Sequence, residues 1–249
     1  MKIAIIGFGN LGRSLAEGLV KSGTASGSEI CVCDNAPEAR ALAVDKYGFS
    51  VTDDVNCAIS AAEVIFLVVK SYVFEVLAPS IDRDLLTGKT VVSFMAGITF
   101  DKIFALIGKV DLVRGMPSLA IAACDGVVAY TKAPPHVTDI FHKLGYAFEA
   151  TPEDIEKVMA FSSCGLGFAA YLIDAFATAG KHMGFAPDIC AKIAAQTFKN
   201  AVDRGDWKNT VKAVATKGGA TEQGILHMDA SNVYGIITEA VQKAYNRMK

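Results

Sequence analysis

The chain has 249 residues, a formal net charge of -2, 52% hydrophobic and 20% charged residues. That length fits one large domain or two smaller ones, and the apolar content supports a packed core rather than disorder. Near-neutral charge without a Lys/Arg tract argues against a nucleic-acid partner.

Residues 2–6 (KIAII) read as a short, fully buried parallel strand. They run into Gly7-Phe8-Gly9-Asn10-Leu11-Gly12, and Arg13 to Ser22 then reads as a helix. Glu29 to Cys33 predicts a second strand ending at Asp34, 37–47 a helix, Val51-Thr52 a short strand and Ala58 to Ala62 a short helix. Val64 to Val69 is a buried strand, followed by a helix over 72–78 and a strand over Thr90 to Phe94. A helix over 99–106, strands at Asp111–Arg114 and Val127–Thr131, a helix over 135–144 and a strand near 147–150 complete the alternation. This order implies a doubly wound parallel sheet of the Rossmann type.

The texture changes at Thr151-Pro152-Glu153-Asp154, where Pro and acids mark a helix start. Beyond it lie only helical periodicities, over 153–183, 187–203 and 231–247 with shorter helices between. The expected organisation is a dinucleotide-binding domain over 1–151 and an all-helical dimerisation and substrate domain over 152–249. The second part is very apolar, so its excess is expected in a homodimer interface, with higher assembly left open. Despite a mean hydropathy of +0.35, the apolar stretches read as too short and too interrupted for a membrane helix, which needs about 18 residues. Met1-Lys2 leads directly into the first strand, which does not read as a signal peptide. The six cysteines, Cys31, Cys33, Cys57, Cys124, Cys164 and Cys190, have no metal spacing and read as buried free thiols in a reducing cytoplasm. His136, His142, His182 and His227 form no triad or ligand pattern, and no metal is expected.

The Gly7-x-Gly9-x-x-Gly12 spacing gains meaning from its place between a strand and a helix, with Asp34 about twenty residues further on at the end of the second strand. Gly7 allows the tight turn, Gly9 lets the backbone approach a pyrophosphate, and Gly12 permits close helix packing. The helix start offers N–H groups and a positive dipole end to phosphates. A carboxylate at Asp34 accepts from ribose hydroxyls and repels a 2′-phosphate, which favours NADH over NADPH; Arg40, swung toward a phosphate, would favour the reverse. Asp34 could instead cap a turn with Asn35.

Four segments occur in an order that resembles one family along nearly the whole chain. After the glycine loop come Val68-Val69-Lys70, then Ser93-Phe94-Met95-Ala96-Gly97-Ile98, Arg114-Gly115-Met116-Pro117-Ser118 and Lys217-Gly218-Gly219-Ala220-Thr221. Together they are similar to the pyrroline-5-carboxylate reductases. The resemblance implies hydride transfer from NAD(P)H to the C=N bond of Δ1-pyrroline-5-carboxylate, giving L-proline. It places cofactor contacts on Gly7, Phe8, Gly9, Asn10, Leu11 and Gly12, to which the motif spacing adds Asp34 and its neighbour Asn35. Further cofactor contacts fall on Val68, Val69, Lys70 and Ser71, and on Phe94, Met95 and Ala96. Substrate contacts fall on Thr216, Lys217, Gly218, Gly219, Ala220 and Thr221. The Gly-Gly turn would offer N–H donors to the substrate carboxylate, and the Thr221 hydroxyl would orient the ring nitrogen. Met116 and Pro117 would shape the wall beside the nicotinamide.

The chain departs from the family pattern at Ser71-Tyr72, at Ser118, at Ser163 to Gly167 and at Thr216-Lys217. These changes leave open a related imine reductase with another substrate, or a non-catalytic NAD(H)-binding dimer. A β-hydroxyacid dehydrogenase of the same two-domain build typically carries a Lys on the first long helix of its second domain, with an amide one turn later. Here Lys181 comes late in that helix, with no Asn or Gln a turn after it.

Overall fold

The computed structural model describes residues 1–248. Contacts divide the chain into two compact units, the first built on Met1–Ser163 and the second on Cys164–Asn246.

The first unit carries one eight-stranded sheet. Its strands are β1 (Ile3–Ile6), β2 (Ile30–Cys33), β3 (Ser50–Thr52), β4 (Val64–Leu67), β5 (Thr90–Ser93), β6 (Asp111–Pro117), β7 (Gly126–Tyr130) and β8 (Gly145–Glu149). They lie in the order β3-β2-β1-β4-β5-β6-β7-β8. The helices between them are α1 (Asn10–Lys21), α2 (Pro37–Tyr47), α3 (Val55–Ser60), α4 (Ser71–Leu77), α5 (Phe100–Ile107) and α6 (Pro135–Lys143). The two-residue alternation of a strand explains why β1 is apolar throughout. Ile3 and Ile5 join one core with Leu15, Leu19 and Phe141. Ala4 and Ile6 join the opposite core with Ile59, Phe74 and Ile103. Each fully buried isoleucine contributes about 1.5–3 kcal/mol, so β1 anchors both layers.

The sheet is mixed rather than parallel throughout. β6 and β7 run antiparallel, with Met116 opposite Ala129. The link between them is a 3-10 turn, Leu119–Ala123, too short for the crossover a parallel pair requires. β8 returns parallel to β7 by way of α6. The strand order reverses direction between β1 and β4, which is the switch point where open α/β sheets hold ligands beyond the strand C-termini.

After β8, α7 (Pro152–Val158) packs Ile155 against Met116 and Ala129. A π-helical turn, Met159–Ser163, then leads into α8 (Cys164–His182). The second unit contains α8, α9 (Pro187–Arg204), α10 (Trp207–Val214), α11 (Ala220–Ala230) and α12 (Val233–Met248). Ala177 on α8 meets Cys190 and Ala194 on α9, small residues that let the helices approach closely. Few other side chains are buried here: Tyr171, Phe176, Ile193 and Ile236 are all exposed.

The helical run Pro152–His182 corrects the expectation about apolar length. It contains an 18-residue window of mean hydropathy 1.5, long and apolar enough by composition to cross a membrane. Glycine does not interrupt this helix, and Asp174 is the lone charge between Cys164 and Gly180.

Candidate functional site

The glycine loop leaves β1 and enters α1 with each glycine constrained differently. Gly7 has φ +103°, a backbone conformation that side chains disfavour, and a Cβ there would lie 2.8 Å from Val69 Cγ1. A Cβ on Gly12 would lie 2.1 Å from the Gly7 carbonyl oxygen, so α1 closes directly on the turn. A Cβ on Gly9 would meet nothing within 4 Å. Gly9 is also the N-cap of α1 and has no side chain to cap the first-turn N–H groups. A bare backbone facing open space at a helix start fits a pyrophosphate.

Two cavities flank this turn at the C-terminal ends of the strands. The first, of about 370 Å³, is lined by Gly7, Cys33, Asp34, Asn35, Asp53 and the α4 residues Tyr72, Val73 and Val76. The second, of about 470 Å³, is lined by Gly9, Asn10 and Leu11 from the glycine loop, and by Val68, Lys70 and Ser71 after β4. Phe94 and Ala96 after β5, Met116 and Pro117 of β6, and Met159 and Ser163 of the π turn complete its wall. Val69 and Tyr72 belong to both cavities. A hollow of about 520 Å³ at the other end of the sheet, around Lys89 and Asp111, contains none of the glycine-loop residues. The strand order makes the C-terminal end the relevant one.

Three of the residues assigned to the cofactor line neither cavity. The Phe8 ring is 2% exposed and packs edge-on against Tyr47 and Phe49, so its side chain belongs to the core. Met95 is buried among Ile98, Ile103 and Ile107, and Gly12 is covered by the turn above it. Ser118 is also turned inward, its Oγ accepting from the Val127 N–H at 3.1 Å.

Asp34 is more engaged than its position alone suggests. One carboxylate oxygen accepts from the Phe8 N–H at 2.7 Å and the other from the Ala36 N–H at 2.9 Å. It therefore ties the glycine loop to the end of β2 and caps the turn into α2. Arg40 donates to the Asp34 carbonyl oxygen at 2.7 Å and lies 3.4 Å from the Asp53 carboxylate. Burial, with Cys31 and the carboxylates of Asp34, Asp54 and Asp53 adding to it, pushes the Cys33 thiol up to about 12. Cys33 thus lines the first cavity as a neutral group. The cysteines are not uniformly buried as expected: Cys57 is exposed, and Cys31, Cys124 and Cys164 are partly so.

The Gly-Gly loop lies in the second unit. Gly218 has φ +77°, and Gly219 is the N-cap of α11. The Gly218 N–H donates to Glu222 Oε2 at 2.6 Å, and the Gly219 N–H to the Thr216 carbonyl oxygen at 2.8 Å. Gly219 has no side chain to cap the helix start, and the first-turn N–H groups of α11, those of Ala220 and Thr221 among them, have no intrahelical acceptor. Thr216, Lys217, Gly218, Ala220 and Thr221 are exposed.

Met159 and Ser163 are contributors that pattern reading missed. An uncapped apolar helix start carries no signal for a π turn, and π turns recur at functional sites because they re-aim side chains. Ser163 Oγ donates to the Pro117 carbonyl oxygen at 3.0 Å, fixing the turn against the cavity wall.

Residues 2–97 match the family described as NADP oxidoreductase coenzyme F420-dependent, and residues 152–249 match pyrroline-5-carboxylate reductase dimerisation. The pyrroline-5-carboxylate reductase of Aquifex aeolicus is 26% identical over 267 aligned positions, spanning 100% of this chain and 97% of that protein. That of Escherichia coli (strain K12) is 25% identical, spanning 99% and 96%. A crystal structure of Plasmodium falciparum pyrroline carboxylate reductase with NADP bound superposes with a TM-score of 0.91 at 19% identity, covering 100% of this chain and 97% of that one. The glycine loop at the switch point, the helical second unit and this full-length similarity converge: the chain belongs to the pyrroline-5-carboxylate reductase family of oxidoreductases.

Proposed function

We propose that the protein reduces Δ1-pyrroline-5-carboxylate to L-proline at the expense of a nicotinamide dinucleotide. The observation that carries this reading is the bare Gly9 backbone opening onto the second cavity at the switch point, beside the first, in a chain similar end to end to named reductases of that imine. When bound, reduced nicotinamide supplies the hydride. The chain's own part is to seat the pyrophosphate on Gly9, Asn10 and Leu11 and to hold the nicotinamide between Val68 to Ser71, Phe94, Ala96 and Met116. A cyclic imine is readily protonated in water, so positioning and water exclusion matter more than a strong acid. In this reading residues 1–151 form the cofactor domain, and 152–249 supply dimer contacts and the substrate loop. The Ala220 and Thr221 N–H groups receive the substrate carboxylate, and the Thr221 hydroxyl orients the ring nitrogen. The Gly218 N–H, already held by Glu222, does not take part unless Glu222 moves.

The cofactor reading leans to NADH. A 2′-phosphate in the first cavity would meet the carboxylates of Asp34 and Asp53, with Arg40 already shared between those two residues. Oxidation of NADH and NADPH by racemic Δ1-pyrroline-5-carboxylate, followed in parallel by absorbance, tests both points. Turnover with NADH preferred is expected. Asp34→Ser should shift the kcat/KM ratio toward NADPH by about tenfold, or ~1.4 kcal/mol. Thr221→Ala should lower turnover by about a hundredfold, the low end for a positioned proton-transfer group. Tight cofactor binding without turnover would instead support another imine, for which Glu222 and Lys217 beside the substrate loop are the specific reason.

A further inference from the structure

Arg114, in β6, is 3% exposed. Its Nη2 donates to the Met95 carbonyl oxygen at 3.1 Å and to Glu156 Oε1 at 2.6 Å. The same Glu156 oxygen accepts from the Gly97 N–H at 3.1 Å. One guanidinium nitrogen and one carboxylate oxygen thus hold the backbone on both sides of Ala96. Phe94 and Ala96, in that turn, line the second cavity. Among the described residues, buried Arg114 Nε and Glu156 Oε2 have no protein partner. A buried ion pair with unsatisfied atoms is a poor stabiliser, since apolar side chains of similar volume often serve as well. Its contacts go to the backbone of a cavity-lining turn, which is what a geometric role requires.

We propose that Arg114 and Glu156 are positioning residues that fix the Phe94–Gly97 turn against the nicotinamide ring. They govern the nicotinamide half of the dinucleotide and leave the adenosine half alone. This rests on the cofactor reading above. Neither residue lines the first cavity, which holds Asp34, Asn35 and Asp53, and none of the pair's hydrogen bonds above goes to those residues.

The test titrates full-length protein with NADH and, separately, with ADP-ribose, which lacks the nicotinamide. The double variant Arg114→Met with Glu156→Leu removes both charges and leaves neither unpaired. It should bind ADP-ribose within about twofold of the parent and NADH about tenfold more weakly, on the scale of lost hydrogen bonds. Its kcat should fall as well. Glu156→Gln, which keeps an acceptor for Arg114 and Gly97, should recover most of the lost NADH affinity. If the double variant does not fold, Glu156→Met is read in its place with the same expectation. Equal weakening of both ligands, or no change in either, overturns the positioning role. If the parent binds neither ligand, the cofactor reading itself fails and this proposal falls with it.

Discussion

Gly9 and Gly12 are three residues apart in one loop, and their environments make opposite demands. A methyl group on Gly9 would project into open space, and its φ of -71° suits alanine. Gly9→Ala should therefore leave the melting temperature near that of the parent while weakening dinucleotide binding by about tenfold or more, because the methyl occupies the place of the pyrophosphate. Gly12→Ala should do the reverse, costing about 3 kcal/mol or more by forcing α1 away from Gly7. Calorimetric titration alongside thermal unfolding separates the two, and equal effects on folding and binding would contradict the assignment. The spacing of the loop and its acid was legible in the sequence because strand, turn and helix start impose it together. The use of Asp34 was only half legible. Its carboxylate is committed to the Phe8 and Ala36 N–H groups, a local accounting that motif spacing does not contain. The inward turn of Phe8 was not legible either, since Tyr47 and Phe49 reach it from further along the chain.

Among the elements, strands with uninterrupted apolar runs, such as β1 and β4, were predicted near their observed bounds. Burial on both faces leaves one reading of such a run. The antiparallel β6–β7 pair escaped notice because strand direction depends on the length of the connection rather than on strand composition. That connection also matters for the site. A Cβ on Gly18 of α1 would lie 2.3 Å from the Ile121 carbonyl oxygen in the 3-10 turn. Lys21 and Cys124 bond across the same contact, to the carbonyls of Ala123 and Gly18. The turn begins at Leu119, which lines the second cavity. Gly18→Ala should destabilise the chain by roughly 1–3 kcal/mol and raise the KM for the cofactor. A variant as stable as the parent would show that α1 can yield, and that the turn is not rigidly set.

For the whole molecule, the two units differ in how they bury apolar surface. The first encloses two cores, one on each face of its sheet. In the second, a small cluster around Ala177, Cys190 and Ala194 is the main interior, and large apolar side chains remain exposed. An apolar patch of this extent seeks a partner, and we read it as the face of a homodimer. Sedimentation at micromolar concentration should give a dimer or a closed multiple of it, and a stable monomer would contradict the reading. The sequence revealed this excess as composition. It did not reveal that Pro152–His182 is one helical run, because glycines that look like interruptions do not break it: a Cβ on Gly165 or Gly167 would meet nothing within 4 Å, while Gly180 lies against Cys190 of α9.

The central claim is hydride delivery to the imine carbon, and isotope transfer tests it most directly. NADH carrying deuterium at the transferable C4 position is incubated with the protein and Δ1-pyrroline-5-carboxylate, and the product is analysed by mass spectrometry. The account predicts L-proline bearing a single deuterium at C5, with NAD⁺ formed in equal amount. Unlabelled proline, or NADH oxidation with no proline formed, would contradict it.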